Sequence, residues 1–177
     1  LTTSRRPTSL MRSLCNDLAR SIPSVVRVNR GKLSLDGVAE KALELPAERV
    51  VIVDRWQNGP SKIELFRISQ DGLQSVPPVI FVSEVRLRRE FGEARSRRVG
   101  SLAATAPSGI QRRVFEVAGA LSSFFGIPFL SMDEAVSRHG AAMHFSSDSK
   151  GRVQFTFLLL PQKVEIGPRV TISDTVW

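Results

Sequence analysis

The residues best suited to chemistry in this chain are arginines set beside turn-forming residues. Thr2-Thr3-Ser4-Arg5-Arg6-Pro7 and Asn29-Arg30-Gly31-Lys32 lie within the first 32 residues, which carry seven arginines and lysines against the single acid Asp17. A guanidinium offers paired N–H donors that match phosphate oxygens, so arginine-rich turns suit a polyanionic partner. Gly31 permits close backbone approach, and Arg5 and Arg6 stand beside an expected helix start, whose free N–H groups favour phosphate. A second run sets Arg86, Arg88, Arg89, Arg95, Arg97 and Arg98 against Glu90 and Glu93. Residues 33–85 hold five cations against eight acids, and residues 99–177 hold seven against six. Two short stretches therefore exceed the net charge of +8. Such concentration is the footprint of polyanion binding, and a solvated charged face is the alternative reading.

Other chemistries find little support. His139 and His144 are the only histidines, and Cys15 is the only cysteine. They supply neither a zinc site nor a Cys–His nucleophile, so no metal is expected. Asp36, Asp54, Asp133 and Asp148 are scattered, with no paired spacing for hydrolysis. Asn58-Gly59 and the Asp148 to Gly151 stretch lack the glycine–lysine pattern of a nucleotide loop. No catalytic residue, cofactor or enzyme activity is expected. His139-Gly140 reads as a helix end, and Cys15 as a small core residue. Trp56, Trp177 and the ten phenylalanines read mainly as core rather than as base-stacking platforms. A lone cysteine suits a reducing compartment. No apolar run reaches the ~20 residues of a membrane helix, and no secretory signal is expected from the opening residues.

Periodicity supplies the elements that must position these groups. A short strand (1–4) precedes a helix over about 7–22, in which Leu10, Leu14, Leu18 and Ile22 form one apolar stripe. Pro7 is expected in its first turn. A strand over 25–28, a helix over about 34–45 and a hairpin around Asn58-Gly59 follow, then a strand over 79–87. The second half repeats this order. A strand at 102–105 leads to a long helix with Ile110, Val114, Val117, Leu121 and Phe124 on one face. A short helix (131–139), a hairpin (143–145 with 152–160) and a strand over 169–173 complete it.

The echo reaches individual residues. Leu33-Ser34-Leu35-Asp36 and Leu130-Ser131-Met132-Asp133 both open helices, with Ser34 and Ser131 as N-caps. Pro78 with Ser83-Glu84 is mirrored by Pro168 with Ser173-Asp174. The expected architecture is α/β, in two tandem similar halves from an internal duplication, each a small mixed β-sheet packed with helices. The expected divisions are 1–88 for the N-terminal half, 89–98 for a basic connector and 99–177 for the C-terminal half.

The Thr2 to Pro7 and Val28 to Lys32 segments, the valine-rich strand leading to Asn58-Gly59-Pro60, and Val164-Glu165-Ile166-Gly167-Pro168-Arg169 together resemble the Brix-domain ribosome-biogenesis family. The last segment carries that family's Glu-x-Gly-Pro-Arg signature, and the likeness covers essentially the whole chain. It is nearest to the small-subunit-processome, box C/D-associated branch and its short archaeal single-domain homologues. One departure is Ser75-Val76-Pro77-Pro78-Val79, where many eukaryotic members carry Gly-Pro-Thr.

The resemblance implies that each half is like the anticodon-binding domain of class II aminoacyl-tRNA synthetases. It also implies work on pre-rRNA in rRNA processing and small-subunit assembly. Its implied partners are pre-rRNA, a box C/D guide RNA and other ribosome-assembly proteins, with no membrane. The implied location is cytoplasmic in an archaeal cell and nucleolar in a eukaryote. Charge and resemblance together give the RNA-binding candidates Arg5, Arg6, Arg12, Arg27, Arg30, Lys32, Arg86, Arg88, Arg89, Arg95, Arg97, Arg98, Arg112 and Arg113. The alternative is a protein-interaction scaffold within a pre-ribosomal complex, with only incidental RNA contact. The corresponding loop of the second half, Thr105-Ala106-Pro107-Ser108, lacks the arginines, so the first half is expected to face the RNA.

Overall fold

A computed structural model of the chain describes residues 1–92 and 99–177. Arg95, Arg97, Arg98 and most of the expected connector lie outside the described residues. The rest is a mixed α/β fold of one ten-stranded sheet and four helices. In chain order the elements are β1 (Thr2–Thr3), α1 (Ser9–Ser21), α2 (Leu35–Glu44), β2 (Arg49–Trp56), β3 (Gly59–Ser69) and β4 (Gly72–Arg86). A 3-10 turn (Arg88–Glu90) leads on to β5 (Leu102–Thr105), α3 (Arg112–Phe125), β6 (Phe129–Leu130) and α4 (Met132–Arg138). The chain ends with β7 (Ala141–Ser147), β8 (Val153–Leu159), β9 (Val164–Glu165) and β10 (Arg169–Val176). The strands run β1-β2-β3-β4-β10-β8-β7-β5-β6 across the sheet, with β9 also on β8.

Apolar strand residues explain the layering. Val50, Val51, Ile52 and Val53 are all buried, because helices cover both faces of the sheet. Val51 and Val53 join Leu14 and Leu18 of α1, Val117 and Leu121 of α3, and Phe155 and Phe157 of β8 in one core spanning both halves. On the opposite face Val50 and Ile52 pack under Val38 and Ala42 of α2. Ala103 and Ala142 likewise pack under Ala135 of α4.

The seam between the halves is the antiparallel pair β4–β10. Val79 faces Val176 at one end, and Arg86 faces Arg169 at the other. Ser83 Oγ donates to the Thr171 carbonyl at 3.2 Å, and Ser173 Oγ donates to the Phe81 carbonyl at 3.1 Å. The mirrored serines noted in the sequence thus make mirrored bonds across the seam.

Several boundaries differ from expectation. Pro7 precedes α1 rather than opening it, because Thr8 is the N-cap and accepts from the Met11 N–H at 3.2 Å. Residues 25–28 are not a strand. They are held to the chain start by Leu1 N–H to Val26 carbonyl (2.8 Å) and Val28 N–H to Leu1 carbonyl (2.9 Å). Ile110 lies ahead of α3. β4 begins well before residue 79 and runs through Pro77 and Pro78. Those prolines fall in a register shift against β3, between the pairs Leu65–Val76 and Ile63–Ile80, where no ladder N–H is required.

Candidate nucleic-acid interface

The two cationic turns of the first half meet at one atom. Arg5 Nε donates to the Leu33 carbonyl at 3.2 Å, and Arg30 Nε donates to the same oxygen at 3.1 Å. Both guanidiniums use Nε for this bond, and Arg6 and Lys32 are exposed alongside in sequence. The turn between Arg30 and Lys32 needs Gly31, whose φ is +57°. Arg27 fixes the base of this turn, donating from Nη1 to Asn16 of α1 and from Nη2 to Asn29 Oδ1 at 3.2 Å. Arg12 is exposed in the first turns of α1. The fold therefore brings Arg5, Arg27 and Arg30 into contact with one loop, and carries Arg6, Arg12 and Lys32 beside it.

The mid-chain arginines divide into different roles. Arg86 closes β4, donates to the Glu90 carbonyl at 2.9 Å and lies over the Phe91 ring at 4.3 Å. Arg89 is exposed, whereas Arg88 is only 3% exposed. Arg88 is thus misplaced in a surface RNA track. Its backbone N–H donates to Asp17 Oδ2 at 2.8 Å, and its Nη1 donates to Ser21 Oγ at 2.6 Å. Ser21 Oγ in turn donates to the Gly167 carbonyl at 3.1 Å. Burial pushes the Asp17 carboxyl up and the Arg88 guanidinium down from their ordinary values, each partly offset by the other's charge. These are the terms of a structural pair, taken out of water to tie α1 to the segment after β4.

That pair also supports the signature segment. Gly167 has φ +61°, and a Cβ there would stand 2.5 Å from the Phe91 ring, so only glycine fits. Arg169 is ion-paired with Glu165, whose Oε1 accepts from Arg169 Nε at 2.7 Å and from Thr156 Oγ1 at 2.5 Å. Burial raises the Glu165 carboxyl, but these hydrogen bonds outweigh it and leave its pKa lowered.

The arginines of α3 stand apart. At about 1.5 Å per residue, Arg112 lies roughly 18 Å along the helix from Phe124. It pairs with Glu116 at 2.7 Å. Arg113 donates to Asp174 Oδ1 at 3.0 Å and to the Ser173 carbonyl at 3.2 Å. Arg112 and Arg113 are thus held by Glu116 and Asp174 rather than by the Leu33 carbonyl that joins Arg5 and Arg30. Lys150 and Arg152 were not singled out from the sequence. They line a polar groove across the seam with Arg86 and Arg169. Arg152 is answered there by Glu84 at 2.8 Å and Asp148 at 2.7 Å. The one available signal was Lys150 within the Asp148 to Gly151 turn.

The other chemistry-bearing residues are packed. Cys15 is fully buried, which pushes its thiol up to about 12. His144 Nδ1 lies 3.0 Å from Thr105 Oγ1, and burial lowers its pKa. Trp56 packs on Phe81 with ring centroids 5.0 Å apart, while Trp177 is exposed. Among the described residues no group of three or more His, Cys, Asp and Glu is placed to hold a metal. None of the described helices is long and apolar enough to cross a membrane.

The sequence can be set beside known proteins. The "Probable Brix domain-containing ribosomal biogenesis protein" of Methanopyrus kandleri is 30% identical over 182 residues, covering 98% of this chain and 92% of that one. The chain belongs to the Brix-domain ribosomal biogenesis family. A Pyrobaculum aerophilum protein of the same description is 28% identical, over 77% of this chain and 72% of its own. The Pyrococcus horikoshii relative is 30% identical over 92 residues, so the match spans only 41% of that longer protein. The crystal structure of a probable ribosomal biogenesis protein from Aeropyrum pernix superposes with a TM-score of 0.78 at 25% identity, covering 99% of this chain and 97% of that one. The fold is also that of Mil, an archaeal Imp4-like protein, with a TM-score of 0.63 at 20% identity and the same coverage. No family model matches the chain. In this Brix chain, the Glu165 to Arg169 signature is a packing device seated against Phe91 and Ser21.

Proposed function

We propose that this chain is a non-enzymatic RNA-binding factor that holds pre-rRNA by its phosphates during rRNA processing and small-subunit assembly. The carrying observation is the convergence of Arg5 and Arg30 on the Leu33 carbonyl. It turns two clusters far apart in sequence into one cationic face with Arg6 and Lys32. Arg12 and Arg27 border that face, Arg86 and Arg89 are further candidates for phosphate contact, and Arg95, Arg97 and Arg98 are candidates on their charge alone. Phosphate contacts of this kind position a folded RNA without reading its bases. A box C/D guide RNA pairing with the pre-rRNA offers the same backbone chemistry. The 1–88 and 99–177 halves are read as products of a duplication, each like an anticodon-binding domain, with 89–98 as their connector. The mirrored seam bonds support that reading.

Replacing Arg5, Arg6, Arg30 and Lys32 together by alanine should weaken binding of a pre-rRNA fragment at least about tenfold in a filter assay. The circular dichroism spectrum and urea midpoint should be retained, since Arg5, Arg6 and Lys32 are exposed and Arg30 is only half-buried. Unchanged affinity would remove this face from the site. It would favour the scaffold reading, in which RNA contact is incidental.

A further inference from the structure

On the β1 side of the first half, pairing stops short. β1 meets only Ile52 and Val53, so among the described residues no strand lies beside Arg49–Val51 on that edge. A cleft of about 410 Å³ opens there. Its walls include Val26, Val28, Leu33, Val38, Leu45 and Phe125. Val26 is 60% exposed and Leu45 is 41% exposed, and Leu35 and Leu43 of α2 are exposed as well. The charged residues lining the cleft are Arg30, Lys41, Arg49 and Glu48, with Glu44 beside Lys41, so one positive charge is in excess. Lys41 leans on Glu44, and Arg49 donates to the Phe124 carbonyl at the end of α3.

We propose that this cleft is a docking site for an extended segment of a protein partner in which aliphatic residues alternate with acids. Three features select that occupant. The walls are chiefly aliphatic, matching aliphatic side chains better than a nucleobase, which prefers an aromatic platform. Phe124 and Phe125 stand edge-on to each other, with an interplanar angle of 86°, and offer no paired stacking surface. The edge of β2 over Arg49–Val51 has no strand beside it among the described residues, and alternate side chains of an extended segment laid along it point to opposite sides. Aliphatic residues would then enter the cleft while acids meet the cationic rim. The site borders the phosphate-binding face, with Arg30 and Leu33 common to both, and its apolar walls do not depend on RNA binding there.

The test titrates the full chain into a fluorescent peptide of alternating leucine and aspartate residues, read by anisotropy. Saturable binding below roughly 100 μM is expected, with the lysine-for-aspartate peptide at least about tenfold weaker. A Val26→Ser/Leu45→Ser double variant, altered only at exposed positions and adding no charge, should bind the acidic peptide at least about tenfold more weakly while RNA affinity is unchanged. Lys41→Glu provides a second variant and should weaken the acidic peptide while strengthening the basic one. No saturation by about 1 mM, or equal binding by the double variant, overturns the proposal. A double variant that loses RNA affinity but keeps peptide affinity would assign the cleft to a nucleobase, and overturns it too.

Discussion

Residue by residue, the same side chain does different work according to where the fold puts it. Arg5 and Arg30 share an exposed carbonyl, whereas Arg88 lies inside, tied to Asp17 and Ser21. Arg88→Ala should therefore cost about 2–4 kcal/mol in urea denaturation, because Ser21 loses its guanidinium donor and buried Asp17 loses the neighbouring positive charge while keeping the backbone N–H. The RNA affinity of the folded variant should stay within about twofold of wild type, and a selective loss of affinity would return Arg88 to the interface. Glu165 gives a pH signature. The folded protein keeps it ionised to lower pH than the unfolded chain does, so its contribution is present above the ordinary value of 4.5 and is lost as pH falls through the folded value. Stability of the wild type should fall on acidification through that window. Glu165→Gln should show a shallower fall there, and parallel curves would show that the carboxylate adds nothing. A run such as Arg86 to Arg89 carries no mark in the sequence of which member turns inward, since that depends on Asp17, 71 residues away in the chain.

Local chemistry set most of the elements and left their company open. Ser34 and Ser131 cap α2 and α4 as their side chains imply, accepting from Gly37 at 3.1 Å and from Glu134 at 3.3 Å. Glu134 answers Ser131 with a reciprocal bond to its N–H at 3.0 Å, completing a capping box. Ser131→Ala should accordingly cost about 1 kcal/mol, read from the shift in urea midpoint. A midpoint unmoved within error would mean that α4 is held by Ala135 packing alone. Where expectation failed, tertiary pairing had overridden a local signal. Val25 to Val28 has strand composition, yet Val26 and Val28 bond to Leu1 and Thr2 without joining the sheet. Pro77-Pro78 reads as a strand stop, yet a bulge absorbs both prolines and β4 continues.

Taken as a whole, the molecule is one sheet to which two runs of similar elements contribute, with β6 and β9 of the second run having no strand counterpart in the first. The similarity of the runs was readable from periodicity and from the repeated serines. The β4–β10 seam was not, because its partners are far apart in the chain and carry no pairing code. The interface was half legible. Charge density singled out both first-half turns, but only folding could bring Arg5 onto Arg30 and pair Arg112 and Arg113 with Glu116 and Asp174. The apolar cleft had no signal, since its walls come from a loop, a helix, a strand and the end of α3.

Phosphate contact leaves a quantitative trace in the salt dependence of RNA affinity. The most direct measurement is equilibrium filter binding of a pre-rRNA fragment across a series of salt concentrations. With about six phosphates engaged, log affinity should fall against log salt with a slope of roughly −4 to −5. A slope near zero would contradict the account.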